Sequence, residues 1–294
     1  MRLNNNQELF IKNQEQFLND LYKRGDITLD ELYKLQKLNR DELLDKISKI
    51  LLKYNIDNST MNLTTGDIKN EYNLLGKLVK DNLKKEYELE DTNINNLLNS
   101  VGLDKYYFNS FLLSVGIDFK LKKIESKKLQ KIIKNRINGK NYSDRLWNNK
   151  NEISKRLQKD IKDFLEGKIS VNDIEKVIKQ RFNANRYNTD RLVITEIARV
   201  QEGVNSVWME ENSIEYVLYS GTLDSKTCND CGQYDGQVYE ANKKPVELPR
   251  HPKCRCTYIA LPSKEWRPKT RMNNETKETI DYKSYEEWKK ENNL

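Results

Sequence analysis

Hydrophobic residues recur at helical spacing along most of the chain, with polar residues between them. Residues 7–23 predict a first helix, and Arg24-Gly25-Asp26 predicts the turn that ends it. A capping box, Thr28 followed by Glu31, predicts that a second helix begins there and continues to about Tyr54. The same pattern predicts three more helices, over residues 67–88, 91–100 and 104–114.

After residue 140 the pattern predicts three further helices, each preceded by its own start signal. The signals are short polar side chains that accept hydrogen bonds from the free amides of a helix N-terminus. The three helices run from Ser143-Asp144 to Gly167, from Ser170 to about Phe182, and from Thr189-Asp190 to about Asn212.

Beyond residue 213 the pattern changes from helical spacing to short apolar runs separated by glycine and proline. Strands are predicted at 216–219, at 237–239 after the turn pair Asp235-Gly236, and at 256–261. The predicted fold class is mainly α with a small α+β C-terminal module. The predicted segments are a helical N-terminal region (1–140), a second helical part (141–213), a β module (214–262) and a polar C-terminal tail (263–294).

The composition supports long helices that each bury one stripe. Hydrophobic residues make up 36% and charged residues 33% of the 294 residues, which is polar for a chain of this length. The chain has no apolar run of the roughly 18 residues that a membrane span needs, and its start lacks the apolar stretch of a signal peptide. We therefore expect a soluble protein of a reducing, cytoplasmic setting, with no membrane partner.

The net charge of +7 is a mild excess, but the basic residues are concentrated in one stretch. Glu125 is the one acidic residue among them. Such a stretch is a candidate surface for double-stranded DNA, because lysines that neutralise phosphates add affinity independent of sequence. The alternative is a solvated helix face, since leucine and isoleucine interleave at helical spacing. The candidate DNA-binding residues are Lys120, Lys122, Lys123, Lys127, Lys128, Lys131, Lys134 and Arg136.

All four cysteines and the single histidine fall in one window, as Cys228-x-x-Cys231 and His251-x-x-Cys254-x-Cys256. Cysteine and histidine are the ligands that structural zinc prefers, and two intervening residues let a tight turn direct both side chains at one ion. The window therefore predicts a structural Zn²⁺ that stabilises the short-stranded module. Five candidates compete for four positions. The spacing does not decide whether His251 and Cys254 or Cys254 and Cys256 complete the site with Cys228 and Cys231.

Other interpretations of the window are free thiols, disulfides, or a catalytic zinc with an acidic general base. Asp224, Asp230 and Asp235 are near enough in sequence to supply that base, although two of them also fit as turn residues. Five candidate ligands leave little reason for the open position that a catalytic zinc keeps. A catalytic triad that needs histidine would have to take His251 from the metal. We therefore expect no enzyme activity.

Several of these motifs together resemble the signature of the phage Mu F-like minor head proteins, also called head morphogenesis proteins. The resemblance covers about residues 140–262 and includes a Thr-Glu helix just before the Cys/His window. Its residues are Asp224, Thr227, Cys228, Cys231, Asp235, Gly236, Tyr239, Pro249, His251, Pro252, Cys254, Arg255 and Cys256, preceded by Arg191, Thr195, Glu196 and Arg199 and by the segment Ser143 to Trp147.

The resemblance implies a minor capsid component inside the head of a tailed phage, assembled in the host cytoplasm. Its implied partners are the portal protein, the major capsid or scaffolding protein, and packaged DNA. The helix face formed by Arg191, Thr195, Glu196 and Arg199 is expected to pack against the zinc module or a partner. Two alternatives are a zinc-dependent nuclease or toxin-like effector, and a DNA-binding protein outside any virion.

Overall fold

The computed structural model describes residues 3–114, 124–261 and 263–292. Within them the chain forms seven helices and seven short strands, so the mainly α fold class with a small α+β module is confirmed. The helices are α1 (Leu3–Lys53), α2 (Thr65–Ser114), α3 (Ser126–Ile133), α4 (Tyr142–Leu165), α5 (Ile174–Glu211), α6 (Asn229–Gly232) and α7 (Tyr285–Glu291). The strands are β1 (Ile56–Asp57), β2 (Thr60–Met61), β3 (Tyr216–Ser220), β4 (Val238–Glu240), β5 (Thr257–Leu261), β6 (Thr270–Met272) and β7 (Thr279–Asp281).

The chain divides into two compact units, and each is assembled from separated segments. We call residues 26–95 and 136–193 the bundle unit, and residues 1–25, 96–135 and 194–294 the module unit. This division differs from the four consecutive segments expected from the sequence, because α1, α2 and α5 each contribute residues to both units. No helix in the described parts of the chain is long and apolar enough to cross a membrane.

The bundle unit has a core of aliphatic side chains from four helices. The segments of α1, α2, α4 and α5 in this unit each contribute one apolar stripe, as the helical spacing predicts. Met61 of the small β1–β2 hairpin closes one end of this core. Its fully buried members include Leu43, Leu157, Ile161, Phe164 and Ile178.

A buried charged cluster lies in the same unit. The Lys150 ammonium donates to Glu86 at 2.9 Å, to Glu90 at 2.6 Å and to Asn185 at 3.1 Å. The side chains of Lys150, Glu86 and Glu90 are at most 2% exposed. Removing charges from water is expensive unless each finds partners, so this cluster depends on all three members.

The module unit contains an antiparallel sheet with β3 in the centre, in the order β4-β3-β5. Tyr219 of β3 pairs with Tyr258 of β5, and Val217 pairs with Tyr239 of β4. The side chain of Asn205, on α5, donates to the carbonyl of Tyr258 at 2.8 Å. The three predicted strands are therefore present within one or two residues of their expected bounds, and α5 is hydrogen-bonded to one of them.

The predicted turn at Arg24-Gly25-Asp26 is wrong, because α1 continues through it without a break. Gly25 lies against α5 in the module unit, where an added Cβ would come within 2.6 Å of the Ile197 Cδ1 atom. Glycine allows this close approach of the Ile197 side chain, at a cost to helix stability of about 1 kcal/mol.

Three further predicted helix breaks are also wrong, two of them within α2 and one within α5. Residues 65–114 form the single helix α2, and residues 174–211 form the single helix α5. Thr189, interpreted from the sequence as part of an N-terminal cap, is buried inside α5 and donates to Glu90 at 3.2 Å. Its hydroxyl belongs to the polar cluster around Lys150. Thr189 therefore makes a long-range hydrogen bond in place of the predicted helix cap.

The segment after residue 262, expected to be a polar tail, forms the β6–β7 hairpin and α7 within the module unit. The start of α7 carries a recognisable signal, since Ser284 and Glu287 form a reciprocal capping box. Tyr285 and Trp288 are buried against Leu223, in a cluster that also includes Ile280. These few aromatic residues are enough to attach an otherwise polar segment.

Candidate metal centre

The five candidate metal ligands lie near one another. Four of them stand at the ends of two similar backbone turns, one from Cys228 to Cys231 and one from His251 to Cys254. In the first turn the amide of Cys231 donates to the carbonyl of Cys228 at 3.1 Å. In the second turn the amide of Cys254 donates to the carbonyl of His251, also at 3.1 Å. Lys253 adopts a positive φ of 63° within this second turn. Each turn brings the first and fourth side chains to one side, as ligation by a C-x-x-C pair requires.

The two turns face one another across the distances that one metal ion would bridge. The Nε2 atom of His251 lies 3.4 Å from the sulfur of Cys228 and 3.3 Å from that of Cys231. The sulfurs of Cys231 and Cys254 are 3.9 Å apart. Tetrahedral zinc, with bonds of about 2.3 Å to sulfur and 2.0–2.1 Å to nitrogen, separates its ligand atoms by about 3.6–3.8 Å. These three separations are close to those that a tetrahedral metal sets.

The imidazole of His251 is oriented for ligation through Nε2. Its Nδ1 atom lies 2.9 Å from the carbonyl oxygen of Pro252, and a proton on Nδ1 is needed to make that hydrogen bond. The Nε2 lone pair then faces the sulfurs. A backbone carbonyl in this position is the usual outer partner of a metal-binding histidine.

Two groups of three ligand atoms each lie within 4.8 Å of one another, and Cys231 belongs to both. One group is Cys228, Cys231 and His251; the other is the buried set of Cys231, Cys254 and Cys256. Either group is able to hold a metal through cysteine and histidine donors. The structure thus places the five candidate ligands in two overlapping groups that share Cys231.

Contacts between the sulfurs shift the pKa values of Cys254 and Cys231 in opposite directions. Hydrogen bonds from Cys231 and then Cys256 lower the pKa of the Cys254 thiol, and the backbone near Arg250 adds to that effect. The contact with Cys254 raises the pKa of Cys231 to about 12. Cys254 is accordingly favoured over Cys231 as a thiolate, which is the form that binds metal.

Asp235, one of the residues considered as a general base, is committed to a buried ion pair. Its two oxygens lie 2.7 and 3.2 Å from the Nη1 and Nη2 atoms of Arg271, and both side chains are at most 2% exposed. The carboxylate also accepts hydrogen bonds from the amides of Gly221 and Tyr285, each at 2.7 Å. We call the ligand turns and the β4-β3-β5 sheet, residues 214–261, the metal module. Asp235 thereby joins the metal module to the β6–β7 hairpin and α7.

We expect Asp235→Asn to destabilise the folded protein by about 3–5 kcal/mol, because it leaves the Arg271 charge buried without its partner. The matched control is Asp230→Asn, which removes a carboxylate that is 59% exposed and pairs with Arg250. Exposed pairs contribute at most about 1 kcal/mol. Urea denaturation of the two variants checks the difference, and equal midpoints would contradict the role given to Asp235.

Asp224 and Gly232 are also explained by local contacts. The Asp224 carboxylate pairs with Arg255 and accepts from the amide of Lys226 at 3.0 Å, so it holds the two ligand turns together. Gly232 follows Cys231 and lies directly under the ring of Tyr285, where an added Cβ would be 2.2 Å from the ring. No sequence signal pointed to Tyr285 or Arg271, since each contacts a residue more than 30 positions away.

The expected packing face on α5 makes specific contacts within the module unit. The Thr195 hydroxyl accepts from the amide of Lys253, inside the second ligand turn, at 3.0 Å. Arg199 donates to the carbonyls of Ile132 and Ile133 at 2.7 Å each, where its charge suits the C-terminus of α3, and it pairs with Glu196 at 2.6 Å. Arg191 is exposed and lies in the bundle unit.

The candidate DNA-binding residues are distributed unevenly over the structure. Lys120, Lys122 and Lys123 lie outside the described residues. Lys127, Lys131 and Lys134 are exposed on or just after α3, at spacings that place them on one helix face. Lys128 is paired with Glu211, and Arg136 belongs to the bundle unit, where it lies 3.5 Å from Asp144.

Comparison with known proteins gives one family match. Residues 148–259 match the family described as "Phage Mu protein F like protein", which confirms the resemblance stated from the motifs. The matched range contains most of α4, all of α5, both ligand turns and the first half of β5. No curated protein and no solved structure matches the chain significantly.

Proposed function

We propose that this chain, which carries a Phage Mu F-like domain over residues 148–259, is a minor head protein that assists assembly of a tailed-phage head. The proposed position is the head interior near the portal vertex. The partners proposed there are the portal protein and the major capsid or scaffolding protein. The observation that carries the proposal is the family match, which supports a head morphogenesis protein in general.

The role we propose is binding rather than catalysis. Asp224 and Asp235 each have hydrogen-bond and ion-pair partners inside the module, and Asp230 pairs with Arg250 at 2.9 Å. A general base for a zinc-activated water needs an available carboxylate beside an open metal position. These contacts favour a structural metal over a zinc-dependent nuclease or toxin.

The experiment is complementation of a phage whose copy of this gene is disrupted. We expect few normal heads without the gene and full recovery with the wild-type chain. Asp230→Asn, which alters one of the three carboxylates without touching the buried pairs, should complement as well as wild type. Normal numbers of infectious, DNA-filled heads in the disrupted phage would contradict a role in assembly.

A DNA contact through α3 is a second part of the proposal. Leu129 and Ile133 are buried on one side of α3, which leaves Lys127, Lys131 and Lys134 on its exposed side. A short helix held by its apolar side, with lysines directed outward, suits the backbone of packaged double-stranded DNA, where each neutralised phosphate releases counterions.

We expect the triple variant Lys127→Gln, Lys131→Gln, Lys134→Gln to reduce the salt dependence of DNA binding. The slope of log affinity against log salt should fall by about 0.9 for each phosphate that the variant no longer neutralises. The matched control changes Lys77, Lys80 and Lys84, three exposed lysines on one stretch of α2. Equal slopes for the two triple variants, measured by fluorescence anisotropy on a random duplex, would contradict the assignment to α3.

A further inference from the structure

The metal module contains one more ligand than a tetrahedral ion uses, and its backbone distinguishes the extra residue. Cys228 and Cys231 close one turn through an amide-to-carbonyl hydrogen bond of 3.1 Å. His251 and Cys254 close the other through a bond between the same backbone positions and of the same length. Cys256 belongs to neither turn, because it lies in the extended segment that leads into β5.

We infer that Cys228, Cys231, His251 and Cys254 are the four metal ligands, and that Cys256 lies outside the coordination sphere. This set pairs the two similar turns around one ion, with three sulfurs and one nitrogen. It deepens the proposed structural metal site and does not depend on the head-assembly role.

The separations between ligand atoms bring His251 into the site beside the cysteines. Three edges of the proposed tetrahedron are 3.3, 3.4 and 3.9 Å long, within about 0.3 Å of the roughly 3.6 and 3.8 Å that tetrahedral zinc sets. The Cys254 sulfur is grouped within 4.8 Å with Cys231 and Cys256 but not with Cys228 or His251, so the second turn must close toward the first for one ion to bind all four. A site made from Cys231, Cys254 and Cys256 would leave the Nε2 atom of His251 beside two sulfurs with no ion to bind.

The surroundings of Cys256 indicate that it supports the ligands without binding the metal. It is 4% exposed, and its sulfur lies within 4.8 Å of the sulfurs of Cys231 and Cys254. A side chain in that position lies against the ligand sulfurs and shields them from water. Outer partners of this kind adjust the affinity of a site without forming a bond to the metal.

Two serine variants of the full chain distinguish the roles of Cys254 and Cys256 in metal binding. Zinc content and zinc affinity are measured in each by chelator competition. We expect Cys256→Ser to keep one zinc ion and to lose about tenfold or less in affinity, at the low end of the range for an outer partner. Cys254→Ser should lose more than about 100-fold, beyond that range. The opposite order, or equal large losses in both variants, would overturn the ligand set.

A measurement on the unaltered chain covers the case in which a variant does not fold. In protein loaded with ¹¹³Cd, three-bond couplings connect the metal to the Cβ protons of each cysteine ligand. Couplings to Cys228, Cys231 and Cys254 and to the His251 ring, with none to Cys256, support the inference. A coupling to Cys256 overturns it while leaving a structural metal in place. Failure of the chain to bind zinc or cadmium overturns the metal site itself, and neither result depends on head assembly.

Discussion

Cys231→Ser is expected to abolish metal binding and to unfold the metal module while most of the helical structure remains. Cys231 belongs to both groups of candidate ligands, so each group loses a member. One face of the sheet has a small hydrophobic cluster, formed by Leu218, Ile259 and Leu261. A structural zinc contributes on the order of 10 kcal/mol to folding at neutral pH, and that contribution disappears with the ligand.

Hydrogen exchange read by mass spectrometry checks this expectation segment by segment. In Cys231→Ser, and in wild type treated with a strong chelator, amides of β3, β4 and β5 should lose their protection. Amides in the bundle unit should keep theirs. Asp230→Ser, an exposed neighbour on α6, serves as the control and should behave like wild type. Unchanged protection of the sheet after complete removal of metal would show that the ion does not stabilise the module.

Lys150→Met is expected to have the second largest effect. The substitution keeps an unbranched side chain of similar length but leaves the Glu86 and Glu90 carboxylates, each at most 1% exposed, without their cation. Removing one partner of a buried ion pair costs about 3–5 kcal/mol, and two acids here share one lysine. Thermal unfolding monitored by circular dichroism should show the bundle unit melting well below wild type.

Two further variants separate this electrostatic cause from a packing defect. Lys155→Met removes a lysine from the exposed side of the same helix, where it pairs with Glu152 at 3.1 Å, and should change stability by less than about 1 kcal/mol. Lys150→Met combined with Glu86→Gln and Glu90→Gln removes the charges together and should recover much of the loss. If the triple variant is no more stable than Lys150→Met alone, the buried charges are not the cause.

The candidate metal ligands were predictable from the sequence because cysteine and histidine occur in one short window and nowhere else in the chain. Every cysteine and the only histidine lie between residues 228 and 256, so their proximity in the chain already restricts them to one small region. The strands were predictable for a similar reason, since short apolar runs between turn residues have local signatures. Neither inference required knowledge of distant contacts.

Helix continuity could not be read from the sequence, because distant neighbours override local signals. Gly25 has the local signature of a helix breaker, but Ile197 fills the space beside it, and Thr189 resembles a cap although its hydroxyl binds Glu90. These tertiary contacts occupy the two positions through which α1 and α5 continue. Propensity is a weak signal where a helix is packed along its length.

The ion-pair partners of the buried charged residues could not be predicted from the sequence either. Asp235 does lie at a turn, since the next residue, Gly236, has a φ of 79°. Its ion pair with Arg271, however, joins residues 36 positions apart, and Lys150 meets acids 60 and 64 positions away. No local pattern distinguishes such a carboxylate from a solvated one. Its chemical role is visible only when the fold brings the partners together.

Quantitative mass spectrometry of purified procapsids and mature heads tests the central claim, that the chain is a minor head protein. We predict that its peptides are recovered from heads at a small, constant ratio to the major capsid protein, and that the ratio survives washing at high salt. Absence of the chain from heads at every stage, while it accumulates in the infected-cell extract, would contradict the account.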